Sequence, residues 1–267
     1  MAARKQSASE PETESCSESG QPAKISLWER LERPASAPRQ TLTPRRIAEA
    51  GVAIADAEGP DAITMRKLAT RLGVAPMAAY RYVSGKDEVL ELMVDLVYAE
   101  LTIPEGTSGW RESLRALAVR TRDLTLRHPW LTLLPPRAEF GLTPHRIAMT
   151  DQALTALDGL GLDMDARMTA VRTVEVYAHG AAGDEVALRR MMADRGWSGI
   201  DEVKRSLAPQ MRWLMENDRN PAYLRYLREA AHKEDPQWRF ELGLECVLDG
   251  IGARLGIEAD GTPGGPR

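Results

Sequence analysis

The chain has 267 residues, of which 43% are hydrophobic, with only two cysteines. That length predicts roughly two domains with packed cores, and no apolar run is long enough to span a membrane. A formal net charge of −4 excludes a protein that coats nucleic acid by bulk basicity. Ala, Leu, Arg and Glu are abundant and long β-branched runs are missing, so the expected fold is all-α. Cys16 stands in a polar tail and Cys246 in a helical stretch, which argues against a structural disulfide and for a cytoplasmic protein. The first 25 residues are rich in Ser and Glu with no apolar core, so no secretory signal is expected.

Residues 1–40 read as a disordered N-terminal arm. The arm holds one apolar island, Ile25-Ser-Leu-Trp28, and its basic end places Arg39 as a candidate minor-groove contact, with a solvated linker as the alternative. Thr43-Pro44 is a helix cap followed by a first-turn proline, and Ile47, Ala50, Gly51 and Ile54 form an inward stripe that Gly59-Pro60 stops. Thr64 then caps a second helix carrying Leu68, Ala69 and Leu72 on one face. Gly73 ends it where a left-handed residue is wanted. Pro76 opens a third helix, expected to run to about Tyr82, with Ala79 and Val83 inward. Met77, Ala78, Tyr80, Arg81 and Tyr82 are left for the outer side. Between Thr64 and Lys86 every charged residue is basic (Arg66, Lys67, Arg71, Arg81 and Lys86), which suits a site-specific binder on an acidic protein. Ser84-Gly-Lys-Asp87 has capping-box spacing and opens a fourth helix, 86 to about 101.

Residues 64–83 therefore read as a helix-turn-helix, the device that lays a helix in the major groove of DNA. Candidate DNA contacts are Arg39, Thr43, Thr64, Arg66, Pro76, Met77, Ala78, Tyr80, Arg81, Tyr82 and Lys86. Met77 and Ala78 suit thymine methyls, and Arg81 suits a guanine or a phosphate.

Ile63-Thr-Met-Arg-Lys-Leu-Ala, Leu72-Gly-Val74 and Tyr80-Arg-Tyr-Val-Ser-Gly-Lys-Asp87 resemble the signature of the tetracycline-repressor (TetR/AcrR) family in order and spacing. The resemblance is strong over about residues 43 to 100. It extends more weakly through Trp110-Arg-Glu-Ser-Leu, Arg127-His-Pro-Trp130 and Phe240-Glu-Leu-Gly-Leu-Glu-Cys-Val-Leu-Asp-Gly250. It implies a helix-turn-helix DNA-binding domain with its connecting helix over 41–101. A helical domain over 105–255 would bind an effector and dimerise, followed by a flexible tail, 256–267. It also implies that Tyr80, Tyr82, Lys86 and Arg66 hold the DNA backbone.

In the second half, helices are expected from Trp110 to Arg127, Thr143-Pro144 to about Gly159, Asp165 to about Ala193, Ile200 to Asn217, Pro221 to His232 and Pro236 to Leu255. Candidate pocket residues for a small hydrophobic or amphipathic effector are Trp110, Trp130, Met149, Met168, Val171, Glu175, Tyr177 and His179. Each of them competes with a plain core role. Glu175 and His179 stand i, i+4 but make no metal site alone. No metal is expected, because no HExxH motif or cysteine cluster supports that pair, and no cofactor, because Gly261-Thr-Pro-Gly-Gly265 lacks the lysine and helix of a phosphate loop. His128 reads as a helix end and His145 as surface. The last helix carries a wide stripe, so Phe240, Leu244, Val247, Leu248 and Ile251, with Gly180 and Gly183, are expected to face a second copy. The resulting expectation is a homodimeric regulator, a repressor released from a palindromic operator by a small effector. A regulator controlled by a protein partner, and an enzyme using the C-terminal cavity, are the alternatives.

Overall fold

The structure is a computed structural model and describes residues 25–32, 42–101, 109–135, 137, 139–216 and 220–257. Among the described residues it is built from α-helices, with no strands. The chain divides into two compact units, 1–38 and 39–267. In the first unit α1 (Leu27–Glu32) departs from the expected disorder, and Ser26 Oγ accepts from the Glu29 amide at 3.2 Å at its start. Arg39 and the rest of the arm lie outside the described residues.

In the second unit, α2 (Pro44–Glu58) is capped by Thr43, whose hydroxyl accepts from the Arg46 amide. It is followed by α3 (Met65–Leu72), α4 (Pro76–Ala79) and α5 (Lys86–Tyr98). Ile47, Ile54, Leu68, Ala79, Val83 and Met93 are buried among these helices. The α2–α5 packing needs Gly51: a Cβ there would lie 2.6 Å from Met93 Sδ. The start of α5 is not the expected serine box. Gly85 is the capping position, and the Glu88 carboxylate reaches back to accept from the Ser84 amide at 2.8 Å. Asp87 was one residue too early for that role.

The remaining helices are α6 (Trp110–Arg127), α7 (Pro144–Thr155), α8 (Met164–Asp194), α9 (Ile200–Glu216), α10 (Pro221–Glu229) and α11 (Pro236–Leu255). Helix α6 packs along α8, and α11 packs on both. A buried polar tie joins all three: Arg122 donates to Glu185 and to Gln237, each at 2.7 Å, with its guanidinium over the Phe240 ring. This packing corrects the reading of α11. Phe240, Leu244, Leu248 and Ile251 are at most 8% exposed within the single chain. The stripe is consumed by α6 and α8, so these four side chains are not free to face a second copy, and Val247 is half-buried beside them. The start of the tail is also ordered. The Ile257 amide donates to the Gly252 carbonyl at 3.1 Å, and Ile257 is buried.

Candidate nucleic-acid interface

The helix-turn-helix forms through local chemistry. The Thr64 hydroxyl accepts from the Lys67 amide at 3.1 Å and starts α3. Gly73, at φ 67° and ψ 31°, closes it in the left-handed region, which a Cβ would strain. Leu68 and Ala69 on α3 and Ala79 on α4 are fully buried, and small side chains at 69 and 79 let the two helices cross closely. Regular helix ends at Ala79, three residues before the expected end, and Tyr80–Tyr82 continue as turns.

On the outer side Met77 is 73% exposed and Tyr80 44%, with Arg81 exposed between the tyrosines. Pro76 and Thr64 are exposed and Ala78 is half-buried. Tyr82 differs from expectation. Its ring is half-buried and its hydroxyl donates to the Leu42 carbonyl at 2.9 Å, fixing the chain just before α2. The basic residues divide into two kinds. Lys67 pairs with Glu58, and Lys86 stands 3.8 Å from Asp61. Arg66, Arg71 and Arg81 are exposed and have no ion pair among the described residues.

This module is tied to the later helices through Asp56, Asp95 and Tyr98, which the sequence did not single out. Asp56, near the end of α2, accepts from Trp130 Nε1 at 2.8 Å and from His128 Nδ1 at 2.9 Å. Asp95 on α5 accepts from the His145 amide and from His145 Nδ1, both at 2.8 Å. The expected cap of α7, Thr143, is fully buried and its hydroxyl has no partner, so a carboxylate from another helix does the capping. Tyr98 on α5 meets His179 Nε2 on α8 at 3.2 Å, while His179 Nδ1 faces the Glu175 carbonyl at 2.8 Å. Burial holds the His179 ring below the ordinary histidine pKa, and Arg146, stacked on the Tyr98 ring, adds to this. The neutral ring then donates from Nδ1 and accepts the Tyr98 hydroxyl at Nε2. Burial likewise raises the Tyr98 phenol.

The eight expected pocket residues do not converge on one cavity. Val171 and Met149 are core, and Trp110 is buried where α6 begins, against Gly252. Met168, Glu175 and His179 share one face of α8 with Val171, and all three are half-buried. Tyr177 is two residues out of step with that face and points to the other side. There its hydroxyl donates to the Phe240 carbonyl at 2.8 Å. It borders a cleft of about 440 Å³ between α8 and the start of α11. Trp130 lines a different crevice, of about 510 Å³, between the ends of α2 and α8. Both ring nitrogens of His179 are engaged, and no cluster of three His, Cys, Asp or Glu suited to a metal occurs among the described residues. Nor is any helix there long and apolar enough to cross a membrane.

Two short helices crossing at a left-handed glycine, with an exposed aromatic and cationic edge and a long helix leading away, define a helix-turn-helix transcriptional regulator. Residues 47–93 match the model of bacterial regulatory proteins of the tetR family, and residues 103–255 match the tetracyclin repressor-like C-terminal domain. The chain therefore belongs to the TetR family, and it is a DNA-binding transcriptional repressor. It is 35% identical over 228 residues to the HTH-type transcriptional repressor DrrR1 of Streptomyces coeruleorubidus, covering 84% of this chain and 83% of that one. It is 30% identical over 235 residues to an HTH-type transcriptional regulator of Saccharopolyspora erythraea, covering 87% and 93%. Among solved structures it is similar to the Streptomyces coelicolor TetR family protein ActR in complex with actinorhodin. That match has a TM-score of 0.65 and 25% identity, and covers 81% of this chain and 98% of that one.

Proposed function

We propose that the chain is a cytoplasmic homodimer that holds a palindromic operator and releases it when a small hydrophobic or amphipathic effector binds. Residues 41–101 serve as the DNA-binding domain and 105–255 as the effector-binding and dimerisation domain. Met77 and Arg81 meet the major groove, with Tyr80, Arg66 and Arg71 on the DNA backbone. The observation that carries this reading is the set of ties from Asp56, Asp95 and Tyr98 to His128, His145 and His179. Through them a shift among the later helices is felt by α2 and α5. The relative ActR is described with actinorhodin, which supports a small-molecule effector for this chain.

For the dimer, α8 offers an outward strip of Val176, Gly180 and Gly183, and α11 an outward Leu242. Open space lies beside both glycines. Two recognition helices about 34–36 Å apart fit successive major grooves, so an effector needs only unequal affinity for the two spacings. Selection of bound duplexes from a random pool tests the reading. It expects an inverted repeat bound by two chains, whereas enrichment of a single half-site bound by one chain would refute it.

A further inference from the structure

Helices α9 and α10 carry apolar stripes that the core does not use. On α9, Ile200, Val203, Leu207, Met211 and Met215 recur at steps of three and four, which puts them on one face. Only Val203 of these is buried, while Leu207 and Met215 are 49% and 45% exposed. On α10, Tyr223 and Tyr226 are 49% and 44% exposed, with ring centroids 5.9 Å apart. The two stripes face each other across an open cleft of about 940 Å³. That volume is at the upper end of the ~300–1,000 Å³ range of small-molecule sites.

The charges lining this cleft are four cations and one acid. Lys204 is paired with Glu234 at 2.7 Å, and Lys233 donates to the Leu227 carbonyl at 2.6 Å. Arg212 and Arg228 line the cleft with no ion pair or hydrogen bond among the described residues. The apolar walls combine tyrosine faces with methionine thioethers, both of which favour a flat polarisable body. Two guanidiniums without a partner among the described residues favour an acidic group, to which arginine bonds in a planar fork.

We propose that the α9–α10 cleft binds planar aromatic anions: a fused or linked ring system seated between Tyr226 and Met211, with a carboxylate, sulfonate or acidic phenol held by Arg212 and Arg228. This names a ligand class for the effector reading above, and rests on that reading only for the response of the operator. A peptide helix or a second copy of the chain would need apolar contact along the stripes but no anionic group, so the two arginines separate these occupants.

The test uses the whole chain with anilinonaphthalene sulfonate, a fluorescent aromatic anion, and with phenylnaphthylamine, a neutral aromatic amine lacking the sulfonate. The sulfonate should fill one saturable site per chain. The double variant Arg212→Gln, Arg228→Gln should bind it about tenfold more weakly or worse, while binding the neutral probe as the parent does. Tyr226→Ala should weaken both probes. Because the arginines are exposed, the double variant should keep the parent's circular dichroism and melting temperature. Equal affinity of parent and double variant for the sulfonate would overturn the proposal. So would a parent that binds neither probe while Leu207→Glu converts a dimer to monomers, because a second copy then fills the cleft. Operator affinity measured with saturating sulfonate is a separate arm. Release supports the cleft as the effector site, whereas binding without release leaves the ligand class standing and overturns only the effector role.

Discussion

Asp95 caps a helix that does not belong to it. From α5 it accepts both the amide and the ring Nδ1 of His145 at 2.8 Å, while Thr143, at the position where the cap would normally stand, is buried without a partner. The first turn of α7 is therefore satisfied only while α5 stays in place. A displacement of α5 would take this cap away from the His145 amide.

Asp95→Ala should lower the free energy of unfolding by about 0.5–2 kcal/mol, since it removes the cap on the His145 amide and its bond to the imidazole. Asp95→Asn should lose less, because an amide oxygen still accepts one bond. Denaturant titration of both variants, with His145→Ala completing a double-mutant cycle, measures the coupling. Additive losses would show that the contact transmits nothing.

Stability should depend on pH through His179. Burial lowers its pKa from the ordinary 6.5 in the folded chain, so the unfolded chain takes up the proton first. Unfolding free energy is then full above that value and declines as the pH falls below it. His179→Gln should flatten this limb below the ordinary histidine value of 6.5. Identical slopes for parent and variant would rule His179 out. Glu245 acts further down: bonds from Arg115 and Arg111 hold its pKa at about 2, against the ordinary 4.5. Its contribution is present above 4.5 and is lost as pH falls toward 2, and Glu245→Gln should remove that loss.

At the operator, Arg81→Ala should cost ~1–3 kcal/mol if the guanidinium reads a base. Arg71→Ala should reduce the slope of log affinity against log salt by roughly one contact. Lys67→Ala should change that slope less, because Glu58 already neutralises Lys67. Filter binding across a salt series separates the three. A larger slope change for Lys67 than for Arg71 would reverse the assignment.

The dimer prediction moves outward with the corrected α11. Val176→Glu, at a side chain 68% exposed, should yield monomers in sedimentation at micromolar concentration and keep the helical signal. Leu248→Glu should instead unfold the subunit, because that side chain is fully buried inside it. A Val176→Glu chain that still sediments as a dimer would exclude this face.

The helix-turn-helix was legible in the sequence because its determinants are local. Thr64, Gly73 and Pro76 act within a turn of where they stand, and Ala79 and Val83 follow helical spacing. The junction was not legible, because Asp95, Tyr98 and Asp56 find their partners 50 to 81 residues away. One signal was present: Asp95 is a charge inside the apolar run Leu92–Val97, and such a charge demands a partner. The face of α11 was misread for a related reason. A wide stripe states how much apolar surface must be covered, not whether the cover comes from the same chain. Tyr82 was counted as outward by spacing alone, although its long side chain reaches the Leu42 carbonyl.

The missing side chain at Gly51 lets α2 and α5 approach each other closely. Met93, which fills the gap, is fully buried. A tilt of α5 would therefore press directly on α2, against which Met93 is seated. A bulkier residue at 51 would have to push the Met93 side chain aside or prise the two helices apart, so the spacing of α2 and α5 is set by a residue that has no side chain.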